Sequence, residues 1–140
     1  MNDYRLPVSA ATAGAFAFNQ RAIRLLLAGD DQNFLDGLRR KLDSEFEVVA
    51  TARTSKEVMS CVEEHKPDVV LLGGWSPEHE LISLRNMKAL PRAPKVLVLA
   101  DQEDKNLHAP ALAAGADACL PKSQFQSQWR SLIRNLAMSA

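Results

Sequence analysis

Pro67-Asp68-Val69-Val70-Leu71-Leu72-Gly73-Gly74-Trp75-Ser76-Pro77 is the stretch on which the fold turns. Its apolar core, Val69 to Leu72, is unbroken rather than alternating. An unbroken short run reads as a strand covered on both faces, the habit of a parallel sheet with helices on either side. Two glycines and a proline-marked loop end the run. At the mouth of this strand, Gly73 offers no side chain.

Working outward, four more apolar runs repeat the theme. Residues 23–28 and 46–52 read as strands on the N-terminal side, 94–99 and 117–120 on the C-terminal side. Amphipathic stretches separate them. Phe34, Leu35, Leu38 and Leu42 fall at helical spacing within residues 30–42, and Thr54 or Ser55 can cap a helix carrying Val58, Met59 and Val62. Leu81, Ile82, Leu84, Met87 and Leu90 mark a third helix. A fourth, over residues 104–114, is interrupted by Pro110, which predicts a kink or a helix restarting near Ala109. Ser123-Gln124-Phe125-Gln126 reads as a capping box opening a last helix, with Phe125, Trp129, Leu132, Ile133 and Leu136 on one side. Strands alternating with helices predict an α/β fold: a doubly wound, five-stranded parallel sheet with helices on both faces.

Composition narrows the function classes. The chain has 140 residues, enough for one domain with a real core, and its 46% hydrophobic and 24% charged content is that of a globular protein. Lys plus Arg and Asp plus Glu balance at 17 each, so no net field draws nucleic acid or an anionic membrane. No apolar run approaches the roughly 20 residues that span a bilayer. Cys61 and Cys119 lie in apolar patterns and read as buried free thiols rather than a disulfide. His65, His79 and His108 have no metal-ligand spacing. Residues 1–21, rich in alanine, read as a flexible tail; Asp3 and a lone Arg5 make a poor signal-peptide start, so a cytoplasmic domain over 22–140 is expected.

In such sheets ligands bind beyond the carboxyl ends of the strands, where the strand order reverses. Those ends carry Gly29-Asp30-Asp31, Gly73, Ala100 and Lys122 in turn. Together with Asp36-Gly37-Leu38, Lys66 through Leu72, Gly115-Ala116-Asp117 and Leu120-Pro121-Lys122-Ser123, their order resembles the receiver domain of bacterial response regulators over about residues 22–138. The last of these sets is most like receivers that precede a NarL/LuxR-type helix-turn-helix. The resemblance implies a flavodoxin-like sheet of strand order 2-1-3-4-5. It places the family's acidic pair on Gly29 and Asp30, its phosphoacceptor aspartate on Gly73, its hydroxyl residue on Ala100 and its aromatic switch on Cys119. Only the lysine, Lys122, is retained. Asp31 is expected to cap the first helix, and Asp30 to pair with Lys122.

The implied pocket is therefore degenerate: no catalytic residue, no metal, no cofactor and no enzyme activity are expected. The resemblance implies an atypical receiver, a phosphorylation-independent signalling and interaction module, standing alone or as the regulatory part of a helix-turn-helix transcription regulator. It implies a protein partner or homodimer through the fourth helix, fifth strand and fifth helix, with Pro110, Asp117, Phe125 and Trp129 on that surface. Nucleic acid would not be contacted by these residues. Trp75 covers the emptied pocket, anchors a partner or stacks on a small ligand. An alternative is a small ligand in a crevice lined by Gly29, Gly73 and Gly74, although no G-x-G-x-x-G or phosphate-loop spacing accompanies it.

Overall fold

The computed structural model describes residues 22–73, 77–100 and 110–138, with the main chain alone at 77–80. The expected tail, Gly74, Trp75 and His108 lie outside the described residues, as does most of the expected fourth helix. Five strands alternate with helices along the chain: β1 (Arg24–Ala28), α1 (Gln32–Leu42), β2 (Glu47–Ala52), α2 (Ser55–His65), β3 (Val69–Gly73), α3 (Pro77–Lys88), β4 (Lys95–Ala100), β5 (Ala118–Pro121) and α5 (Lys122–Met138). Residues 110–113 are also helical and are labelled α4. The sheet is parallel throughout, in the order β2-β1-β3-β4-β5. The expected architecture is the observed one.

Period-two alternation sorts each strand between two cores. Leu25, Leu27, Val69, Leu71, Leu97 and Leu99 face α1 and α5, meeting Leu35, Leu42, Phe125 and Ile133. Leu26, Val70, Leu72, Val96 and Val98 face the other way, onto Val58 and Val62 of α2, Leu84 and Met87 of α3, and Ala111 of α4. All five residues of β3 are buried, which is why its sequence does not alternate. Each fully buried aliphatic side chain here contributes roughly 1.5–3 kcal/mol relative to exposure.

Local chemistry sets the helix starts. Thr54 caps α2 in a complete capping box: its hydroxyl accepts from Glu57 N, and the Glu57 carboxylate accepts from Thr54 N. Asp31 caps α1, accepting from the amides of Asn33 and Phe34. The last helix departs from expectation. β5 passes straight into α5, which opens at Lys122, so Ser123 lies inside the first turn.

Two motif acids staple the amino ends of the strands. The Asp68 carboxylate accepts from Arg24 N at 2.8 Å, just ahead of β3. Asp117, just ahead of β5, accepts from Val96 N and from Lys88 Nζ, each at 2.7 Å. Gly115 makes this second staple possible: its φ is +112°, and an added Cβ would lie 3.0 Å from Lys88 Cγ. Cys61 is half-buried, Cys119 is buried, and no disulfide joins them.

Candidate functional site at the carboxyl ends of the strands

Order reversal between β1 and β3 brings Gly29 and Gly73 together, which is where a ligand crevice belongs in this architecture. The two meet backbone to backbone. A Cβ on Gly29 would overlap the carbonyl oxygen of Gly73, and the Gly29 amide is held by Ala52 O at 3.0 Å. The two strand ends therefore leave no room for a side chain on Gly29; Gly74, the third glycine of the expected crevice, lies outside the described residues.

Phe34 occupies the ground above. A Cβ on Gly73 would lie 3.1 Å from Phe34 Cε2 and 3.3 Å from Leu99 Cβ. The ring comes from the first turn of α1, and the Asp31 cap fixes where that turn starts. Lys122, the first residue of α5, sets its ammonium over the same ring, with Nζ 4.4 Å from the centroid. At that distance the quadrupole of the ring attracts the cation, by about 0.5–1 kcal/mol at exposed sites. Sequence reasoning assigned Phe34 only to the helix stripe; nothing in the pattern marked it as the lid of this site.

The remaining expected residues are distributed as follows. Asp30 is exposed, and its backbone carbonyl accepts from Arg53 Nη2 at 2.9 Å. None of the ion pairs found among the described residues joins Asp30 to Lys122, a correction to the pair expected; the aromatic face of Phe34 competes for that ammonium. Ala100 ends β4 beside Pro121, and Cys119 is buried on the opposite face of the sheet, in the core that contains Ala111.

The proposed interaction surface needs three further corrections. Phe125 is 1% exposed and Trp129 8%, both inside the core, where the Trp129 ring meets Phe46 edge-on at 5.9 Å. Burial of their rings is worth more to the fold than any display to a partner. Asp117 is committed to its staple at the other end of the sheet. Pro110 is exposed, as is the side chain of Leu112 in the same turn.

The chemistry open to this arrangement is limited by its donors. Gly73 carries no nucleophilic oxygen, and Asp31 is turned to its cap amides. Mg²⁺ requires near-octahedral oxygen ligation, and the described strand ends put forward Asp30 alone. The residues present do not fit that ion. Among the described residues, no three His, Cys, Asp or Glu side chains gather where a metal ion could be held. No helix is long and apolar enough to cross a membrane, again among the described residues.

Comparison with known proteins agrees with this fold. The family model described as a response regulator receiver domain matches residues 25–134. DegU, a transcriptional regulatory protein of Brevibacillus brevis, is 32% identical over 109 residues, covering 74% of this chain and 45% of that protein. Response regulator MprA of Mycolicibacterium vanbaalenii is 26% identical over 117 residues, 80% of this chain and 51% of its own. The chain thus spans about half the length of these curated relatives. Among solved structures, the signal receiver domain of NarL from Mycobacterium tuberculosis superposes with a TM-score of 0.76 at 20% identity, covering 86% of this chain and 100% of that one. The response regulator domain of Thermotoga maritima CheB gives 0.75 at 21% identity, over 86% and 99%.

Proposed function

This chain belongs to the response-regulator receiver-domain family, and from that premise we propose that it signals without being phosphorylated. Receivers are signalling modules, and we assign this one no catalysis of its own. The observation that carries the reading is the closed contact of Gly29 with the Gly73 carbonyl, beneath the Phe34 ring. Phosphoryl transfer at a receiver site needs a carboxylate oxygen as nucleophile and a cation to neutralise the transferring group. Gly73 stands where the oxygen belongs, and among the described residues Asp30 is the one carboxylate put forward for the cation.

With that input lost, the output surface is set by sequence or by whatever binds one conformation better. A protein partner or a second copy of the chain would engage α4, β5 and the outer face of α5. Pro110 and Leu112 in α4 and Met138 at the end of α5 are exposed apolar groups described there. The relatives named as transcriptional regulators support a role in transcription for the whole protein, through an output domain of its own.

Incubation with acetyl phosphate and Mg²⁺, followed by intact mass measurement, tests the reading directly. The expected result is an unchanged mass. Gain of one phosphoryl group overturns the proposal, wherever on the domain it lands.

A further inference from the structure

A hollow of about 730 Å³ lies at the amino ends of the strands, away from the Gly29–Gly73 contact. The segments entering β3 and β4 and the last turn of α5 line it. Pro91 is exposed there, and Leu90, Ala93 and Ala137 are half-buried, so apolar surface stands open. Two acids, Glu63 and Asp68, are set among three bases, Lys66, Arg92 and Lys95. A charged occupant of either sign would meet a like charge, which is costly. The lining therefore suits an uncharged, apolar segment.

The sequence holds such a segment. Three of the five phenylalanines, Phe34, Phe46 and Phe125, belong to or pack against the core under α1 and α5. The other two, Phe16 and Phe18, fall within residues 6–20, which carry no Asp, Glu, Lys, Arg or His although charged residues make up 24% of the chain. That stretch leads into β1 beside the hollow. Arg24 N donates to the Asp68 carboxylate at 2.8 Å and Arg24 Nη2 to His65 O at 2.7 Å, and Asp68 itself lines the hollow. Phe18 stands six residues before Arg24, a reach of up to about 20 Å when extended.

We propose that residues 16–18 of the same chain dock in this hollow, with a phenylalanine ring on Leu90 and Pro91. A volume of about 730 Å³ is that of pockets that enclose a compact apolar ligand, roughly 300–1,000 Å³. So short a tether holds the segment at an effective concentration of about millimolar, which favours the chain's own segment over that of a second copy. Docking makes residues that precede the family-matched span, 25–134, part of the folded unit. It goes beyond the phosphorylation-independent reading and does not rest on it, because it occupies the opposite end of the sheet.

Nuclear Overhauser contacts in the full chain provide the test. Cross-peaks are expected from the ring protons of Phe16 or Phe18 to side-chain protons of Leu90 or Pro91, at unchanged relative intensity over about tenfold dilution. In a mixture of isotope-labelled and unlabelled chains, none should pass between copies. The double variant Phe16→Ser/Phe18→Ser should lose the cross-peaks and shift the amides of Glu63, Lys66, Leu90 and Arg92, with those of residues 33–41 unmoved. Absence of ring contacts to the hollow, contacts that pass between copies, or hollow amides unmoved by the double variant overturns the proposal.

Discussion

At the scale of single residues, Gly29 and Gly73 are in contact, but the space at the two is not equal: a Cβ on Gly73 meets the Phe34 ring and Leu99 rather than Gly29. A Cβ on Gly29 meets the Gly73 carbonyl oxygen, which belongs to backbone and cannot swing aside. Gly29→Ala should therefore destabilise the fold by about 1–3 kcal/mol or more, as overpacking does; urea denaturation reads it directly, and an unchanged midpoint contradicts the closed contact. Gly73→Asp is a milder insertion, because its nearest neighbour is the ring of Phe34 at 3.1 Å. That variant should fold and still take no label from acetyl phosphate, since it restores one carboxylate beside Asp30 and not the set a divalent ion requires. Efficient labelling of Gly73→Asp would show that Asp31 can leave its cap and act as a ligand. The missing acids at 29 and 73 were legible in the sequence through the family resemblance. The contact between the two glycines was not, because it depends on how closely two strand ends approach, which no local pattern encodes.

At the scale of elements, hydrophobic period placed every described strand within about two residues. The amino ends of α1 and α2 were readable because Asp31 and Thr54 carry capping chemistry in their own side chains. The start of α5 was misplaced by two residues, because β5 and α5 join without a loop and leave no cap to read. Periodicity had already put Phe125 and Trp129 on the apolar stripe; assigning them to a partner surface followed the family likeness of the helix against its own pattern. α2 makes a separate prediction through Cys61, which shares a helix face with Glu57 at i−4 and Glu64 at i+3. Burial first, then the charges of Glu64 and Glu57, raise its thiol above the ordinary 9.0. In the unfolded chain those effects relax, so the folded state holds the proton more tightly. The resulting stability is fully present below the unfolded value and is lost as pH rises through the folded one. Iodoacetamide should accordingly alkylate Cys61 more slowly at pH 8 than it does the thiol of an unfolded peptide of the same sequence. An equal or faster rate contradicts the raised thiol.

For the whole molecule, the sheet has two differently employed ends. The amino ends of the strands are held by Asp68 on Arg24 N and by Asp117 on Val96 N and Lys88. These two acids belong to the motifs that carry the family resemblance, and their work is to fix strand register rather than to bind. At the described carboxyl ends, where such folds keep their chemistry, Gly29 lies against the Gly73 carbonyl and Phe34 against Gly73. The staples lie at the opposite end of the sheet from that contact, so on the proposed reading the scaffold persists without the site's chemistry. This separation predicts how the folded state responds to a divalent ion. A ligand that binds the native state alone stabilises it by RT ln(1 + [L]/Kd), about 2.7 kcal/mol at a hundredfold excess over Kd. A receiver with its full set of carboxylates gains stability in this way from Mg²⁺, whereas Asp30 alone supplies no chelate. Thermal unfolding of this chain should keep the same midpoint, within about 1 °C, between no Mg²⁺ and about 10 mM Mg²⁺ at matched ionic strength. A saturable rise of several degrees, lost in Asp30→Asn, would mean that the strand ends open to gather a metal site, and the closed pocket on which the functional reading rests would have to be abandoned.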